Sequence, residues 1–356
     1  MIRRLSLLTA LAVPAASALA HGHGPYTFEH VRVEIREGHR IITSDGLPDH
    51  EPGRFPNAGN PNRITEQEHV FRAPLTPTVA EVEARPRGKV LAGVALNGVP
   101  FDPGTAERWS PDGRVRAGGG RGPAAGERGE GRRGEDDRRG GPPRERRGGG
   151  GPGGPGGGWA YEALTGGIDL GLDEHHAHVQ PGGTYHYHAL PTGLYERLAG
   201  RPVRERPDRV VLVGWAADGY PIYGPWGHAT ADDPASELRL LKASYRVKPG
   251  ARPAGEDNPP GDHNGTFTRD WEYVEGLGDL DEHNGRFGVT PEFPGGTYHY
   301  VLTYGHPFVP RTLRGVPDAS FVKGPPAGGG GRDGDAGERR RGGPPRDGER
   351  RPPRDR

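Results

Sequence analysis

The sequence contains no cysteine. That excludes a thiol nucleophile, a zinc–thiolate site, an iron–sulfur cluster and any disulfide. A metal, if one is bound, must be held by nitrogen and oxygen. Long apolar runs are scarce as well. Only Leu5 to Val13 stands out, and it is too short to cross a bilayer. No membrane span is therefore expected. Catalytic signatures are also missing: there is no nucleophile elbow, phosphate loop, dinucleotide fingerprint or His-Glu-x-x-His motif. With 63 Gly and 39 Pro among 356 residues, long helices are disfavoured. Ala235 to Ala243 is the best helical candidate.

What is present begins with a secretory pattern. Arg3 and Arg4 precede the apolar stretch, and Ala18-Leu19-Ala20 supplies a small-residue cleavage signature. Residues 1–20 are expected to be a signal peptide, and the mature protein to be secreted or periplasmic. Residues 21–39 form a lead segment with a His-Gly-His tip.

The formal net charge is zero, but it is unevenly spread. Residues 114–158 carry eleven Arg against six acidic residues, and residues 324–356 carry nine against six. Both stretches are almost wholly Gly, Arg, Pro and acid. They cannot bury enough apolar surface to offset chain entropy and are expected to be disordered. Their Arg-Gly character allows weak contact with polyanions or envelope surfaces, without specific nucleic-acid recognition. The remaining mature chain has a net charge of −10, which suits cation binding.

The most informative feature is an internal duplication. Gly93 to Pro100 repeats as Gly214 to Pro221. Trp159-Ala160-Tyr161 repeats as Trp271-Glu272-Tyr273. Leu172 to His175 with Pro181 to Tyr187 repeats as Leu280 to His283 with Pro294 to Tyr300. The order is the same, which defines repeat one at about 90–195 and repeat two at about 210–310, within a domain of about 40–315. Val210 to Ala216 before Asp218-Gly219, and Leu91 to Leu96 before Asn97-Gly98, read as strands ending in turns. Pro-Gly-Gly before Thr-Tyr-His-Tyr reads as a tight turn feeding a strand. The expected class is all-β (mainly β), with two similar units packed about a pseudo-twofold axis into a sandwich or barrel-like core.

Chemistry concentrates at Tyr185-His186-Tyr187-His188. On a strand, side chains alternate, so His186 and His188 share one face and the tyrosines the other. The preceding loop adds Asp173, Glu174, His175, His176 and His178. Zn²⁺ or Cu²⁺ suits such a set, with the carboxylates ligating or orienting the imidazoles. Against this stands a metal-free reading, in which the Tyr and His residues simply pack as aromatic strand residues.

The second copy is poorer. His299 matches His186, but Val301 replaces His188. A weaker site lined by Asp281, Glu282, His283 and His299 is one expectation, and a composite site across the axis another. Cleavage after Ala20 would expose His21-Gly22-His23. Its amine, amides and imidazoles could chelate Cu²⁺ or Ni²⁺, or it could be a frayed end with incidental affinity. Asp49-His50 and Asp262-His263 read as polar turn pairs.

At the Tyr-His-Tyr-His strand the chain resembles the YHYH-domain family of exported proteins. Further matching segments are Gly46-Leu47-Pro48-Asp49-His50, Phe55-Pro56-Asn57, Gly59-Asn60-Pro61-Asn62, Asn97-Gly98-Val99-Pro100-Phe101, Ala177-His178-Val179-Gln180-Pro181, Asp218 to Pro225 and Leu280 to Gly285. The resemblance runs from about Ile41 to Arg314, interrupted by the Arg-Gly insert, and implies the domain but no defined activity. His178, His186 and His188 fit the family pattern better than His175. Relatives often carry cysteine at the position of His283 and another near Thr312. The resemblance thus implies a disulfide that this chain lacks, and a structural place for His283.

Together these features predict an exported metal-binding protein with His176, His178, His186 and His188 as principal ligands and Asp173 beside them. Metal-assisted hydrolysis and copper-centred oxidation are the reaction classes such a site supports. The competing expectation is a non-catalytic envelope or matrix module, with Tyr and Trp forming a flat face for glycans.

Overall fold

A computed structural model describes residues 28–84, 90–113, 115–117 and 158–323. The expected signal peptide at residues 1–20, His21 and His23, nearly all of the Arg-Gly insert and the whole of the tail lie outside the described residues.

The strands are short, because Gly and Pro recur every few residues, and their pairing follows the duplication. Repeat one supplies β1 (Gly93–Ala95), β2 (Pro100–Phe101), β3 (Ala177–Val179) and β4 (Tyr185–Tyr187). Repeat two supplies β5 (Leu212–Ala216), β6 (Pro221–Tyr223), β7 (Gly285–Gly288) and β8 (Thr297–Val301). They form one eight-stranded sheet in the order β7-β8-β6-β5-β1-β2-β4-β3. Read outward from the centre, each half has the same order of equivalent strands.

The pseudo-twofold axis runs through the antiparallel β1–β5 pair. Val94 faces its own equivalent, Trp215, while Gly93 pairs with Ala216 and Ala95 with Gly214. Two parallel pairs flank this centre symmetrically, Tyr187 beside Phe101 and Tyr300 beside Ile222. The expected mainly β class and duplicated unit are what the structure has, and the two units join edge to edge.

A three-stranded antiparallel sheet, Val31–Arg36, His39–Ser44 and His69–Pro74, lies against the middle of the large one. The approach is close at both hairpin turns. Gly98 has φ +80° and Gly219 φ +92°. A Cβ at Gly98 would stand 2.1 Å from Ser44 Oγ, and one at Gly219 2.1 Å from the Pro74 carbonyl oxygen. Both turns thus require glycine twice over, for the backbone angle and for the space. The guanidinium of Arg40 stacks on Trp215 between the sheets, 3.3 Å from the ring centroid.

Paired and buried residues extend beyond 40–315 at both ends. The hairpin Val31–Ser44 is a continuous ladder turning at Glu37-Gly38, so the folded part starts before residue 40. At the other end Phe321 is fully buried, so it continues past 315. The helix is also elsewhere. Helix α1 spans Thr192–Ala199, follows Pro191, buries Leu194, Tyr195 and Leu198 on one side, and ends at Gly200 with φ +69°. Within Ala235 to Ala243, Leu238–Leu240 is instead a strand paired with Trp226–His228. Leu238, Arg239 and Leu240 alternate with the strand period of two, which decides against a helix there.

Candidate metal centre

The hairpin β3–turn–β4 builds the site. Its turn closes with Gly183 N–H donating to the Gln180 carbonyl at 2.8 Å. The antiparallel register then places His186 directly opposite His178 and Tyr187 opposite Ala177. Directly opposed residues share a face. His188, two positions on from His186, joins them. The three ring centroids form a nearly equilateral triangle with sides of 4.7, 4.8 and 4.8 Å. One ring nitrogen from each residue lies within 4.8 Å of the other two, and Nε2 of His178 is 3.1 Å from Nε2 of His188. Tetrahedral zinc with bonds of about 2.0–2.1 Å spaces its nitrogens about 3.3 Å apart, so this pair already has a chelating separation.

Backbone carbonyls orient two of the rings. His178 Nδ1 lies 2.9 Å from the Leu170 oxygen and His186 Nδ1 3.3 Å from the Thr184 oxygen. Each Nδ1–H donates there, which leaves Nε2 with its lone pair facing inward. Burial pushes His178 below the ordinary imidazole value. It pushes His186 and His188 well below it, reinforced by the neighbouring imidazoles and by Lys323. All three rings are thus neutral, the form that binds a metal.

The opposite face holds the tyrosines, and with them several residues expected at the centre. Asp173 accepts the Tyr185 hydroxyl at 2.6 Å, Gly53 N–H at 3.0 Å, His175 N–H at 2.9 Å and Ala177 N–H at 3.1 Å. Its carboxylate is used in clamping the loop and does not reach the imidazole triangle. His175 sits between the Glu51 oxygen and Gly193 N–H, its ring 4.0 Å from that of His50. His176 has φ +58° and turns its ring to the Leu190 carbonyl at 2.8 Å. The tight loop reversal at 173–176 aims these side chains away, so ligand-type residues close in sequence do not converge.

His50 docks on the same face, its Nε2 2.7 Å from the Tyr187 hydroxyl, which also accepts Asn97 Nδ2–H at 2.9 Å. Asp49 accepts Asn97 Nδ2–H at 2.7 Å and pairs with Arg197 at 2.6 Å. The Asp49-His50 turn therefore fastens the N-terminal segment to repeat one. Tyr185, Tyr187 and Tyr300 are fully buried and Tyr298 nearly so, so the motif tyrosines offer no flat face to a glycan.

In repeat two the same frame carries other groups. Arg286 occupies the position of His178, paired with His299, and Val301 that of His188. A guanidinium has no lone pair to give a metal. Arg286 instead donates to the His228 carbonyl at 2.9 Å, and burial lowers its pKa to about 10. His299 is lowered to about 4 by burial. Asp281 lies on the other face with the Tyr298 hydroxyl at 2.9 Å, the counterpart of Asp173 with Tyr185. His283 Nδ1 meets Thr312 Oγ1 at 2.6 Å. The second site expected around Asp281, Glu282, His283 and His299 is therefore not assembled. A composite site fails as well. Four strands stand between β4 and β8, a separation of about 24 Å at about 4.8 Å per strand. Among the described residues, His178, His186 and His188 are the one such group of potential ligands.

The family model described as YHYH protein matches residues 70–315. No curated protein and no solved structure matches the chain.

Proposed function

We propose that this chain, which belongs to the YHYH protein family, is an exported metal-binding protein holding one zinc or copper ion on His178, His186 and His188. The observation that carries this reading is the triangle itself: three buried or half-buried neutral imidazoles, with donor atoms all within 4.8 Å of one another. The cysteine-free, nitrogen-only donor set suits Zn²⁺ or Cu²⁺. Export rests on the signal-peptide pattern of residues 1–20. No described helix is long and apolar enough to cross a membrane.

Three imidazoles leave room in the coordination sphere for a further ligand, and a site that also admits water or substrate is arranged as in catalytic zinc centres. A metal there would supply an activated water for hydrolysis, or a copper redox centre. Imidazoles 178 and 186, oriented by the Leu170 and Thr184 carbonyls, would fix its geometry.

A second reading also has an observation in its favour. The 3.1 Å separation of His178 Nε2 and His188 Nε2 is a hydrogen-bond length, so a metal-free packing cluster accounts for that pair. Elemental analysis of protein purified without an affinity tag separates the two. The metal reading expects about one equivalent of Zn or Cu, lost in His186→Ala with His188→Ala. Metal-free protein that also refuses added Zn²⁺ and Cu²⁺ would support the packing cluster.

A further inference from the structure

Asp102 belongs to no recognisable motif, and it is 2 % exposed. Its neighbour Phe101 packs its ring on Tyr187, 5.8 Å between centroids, and so faces the tyrosine side. Alternation then turns Asp102 to the other side, while its N–H donates to the Tyr187 carbonyl at 2.9 Å, in the middle of the His186–His188 strand. Gln180 is two residues beyond His178 and so shares its face. Its Nε2–H donates to Asp102 Oδ2 at 3.0 Å. The same oxygen is paired with the ammonium of Lys323, and that ammonium also acts on His186 and His188. A buried carboxylate on the imidazole side of the sheet, outside the group of three ring nitrogens but acting on His178, is thus neutralised by an ammonium that is itself 26 % exposed.

Repeat two supplies an internal control. There Tyr223 stands where Asp102 does, its ring 5.3 Å from that of His299. The unit that has lost two of the three imidazoles has lost the carboxylate as well.

Resting on the metal reading above, we propose that Asp102, held by Lys323 as its counter-ion in the metal-free protein, turns to the His178–His186–His188 site as a further, oxygen ligand when a metal binds there. A divalent ion and an ammonium compete for one carboxylate at short range. Metal uptake therefore displaces Lys323 and frees the end of segment 319–323 from Asp102. The completed set, three imidazoles and one carboxylate, favours Zn²⁺ and Co²⁺ over Cu(I), which prefers softer donors.

Zn²⁺ and Co²⁺ binding to the full mature chain tests this, with affinity from chelator competition and the visible spectrum of the cobalt form. Asp102→Asn is expected to weaken Zn²⁺ binding about 10–100-fold and to shift the cobalt bands. Lys323→Met is expected to tighten binding several-fold and leave the bands in place. The proposal is overturned if Asp102→Asn leaves both affinity and spectrum unchanged, or if Lys323→Met weakens binding as Asp102→Asn does. A wild-type chain that binds neither ion at the triad removes the metal reading itself, a different outcome. Lys323 is partly exposed, so its variant tests the competition even if Asp102→Asn folds poorly.

Discussion

Arg286 holds in the second unit the place that His178 holds in the first. His178 pairs with His186 across β3 and β4, and Arg286 pairs with His299 across β7 and β8. One backbone frame therefore presents a lone pair in one unit and a fixed positive charge in the other. With Val301 in place of His188, the second unit keeps the scaffold without the donors.

Restoring those donors should restore the site. Arg286→His with Val301→His is expected to raise bound Zn²⁺ from about one to about two equivalents per chain. Elemental analysis after dialysis reads this directly. An unchanged stoichiometry in folded protein would mean that the frame alone does not position the rings.

Asp173 provides the opposite test. Its four hydrogen bonds tie loop 173–177, Gly53 and Tyr185 together, far from any role as a ligand. Asp173→Ala leaves several donors without an acceptor and is expected to cost about 2–4 kcal/mol in denaturant unfolding. Metal content of the folded protein is expected to stay the same. Loss of metal at unchanged stability would put the carboxylate back in the site.

Acid should act through His299. Burial holds its folded value at about 4 against an ordinary 6.5. As pH falls, the unfolded chain takes up this proton first. The stabilisation is complete above about pH 6.5 and is lost on the way down to about pH 4. At about 1.4 kcal/mol per pH unit, it amounts to about 3 kcal/mol. In His299→Phe the difference in unfolding free energy between pH 7 and pH 4 is expected to shrink by about that amount. An equally steep dependence in the variant would assign the acid sensitivity elsewhere.

His283 and Thr312 touch at 2.6 Å, where family resemblance implies a disulfide in relatives. His283→Cys with Thr312→Cys is expected to form that bond on oxidation. With no other cysteine present there is no competing pairing. The closed loop should stabilise the protein by about 3 kcal/mol. Melting temperature with and without reductant measures this, and identical values in fully oxidised protein would contradict it.

The duplication, the β class and the shared face of His186 and His188 were legible because they are local. They depend on a period of two, on turn residues and on repeated words. The addition of His178 was legible in part, since a tight Pro-Gly-Gly turn returns the chain beside it. His175, His176 and Asp173 misled for a physical reason. Nearness in sequence does not set direction, and His176 at φ +58° sits in a reversal that sends adjacent side chains to different faces. Asp102 was invisible because it joins the site only through the parallel β2–β4 pairing, across 85 residues that include the Arg-Gly insert. The tyrosine clamp by His50 was hidden in the same way, since His50 and Tyr187 meet over a separation of 137 residues. Helix α1 gave a weak signal: eight residues with only three buried apolar positions.

The central claim is that three imidazoles of the first unit share one ion. Anomalous diffraction from crystals of the zinc-loaded protein, recorded on both sides of the zinc edge, addresses it most directly. The account predicts one strong peak about 2.0–2.1 Å from a ring nitrogen of each of His178, His186 and His188. No peak at that point, or zinc bound only at other histidines while the His178–His188 nitrogens stay 3.1 Å apart, would contradict it.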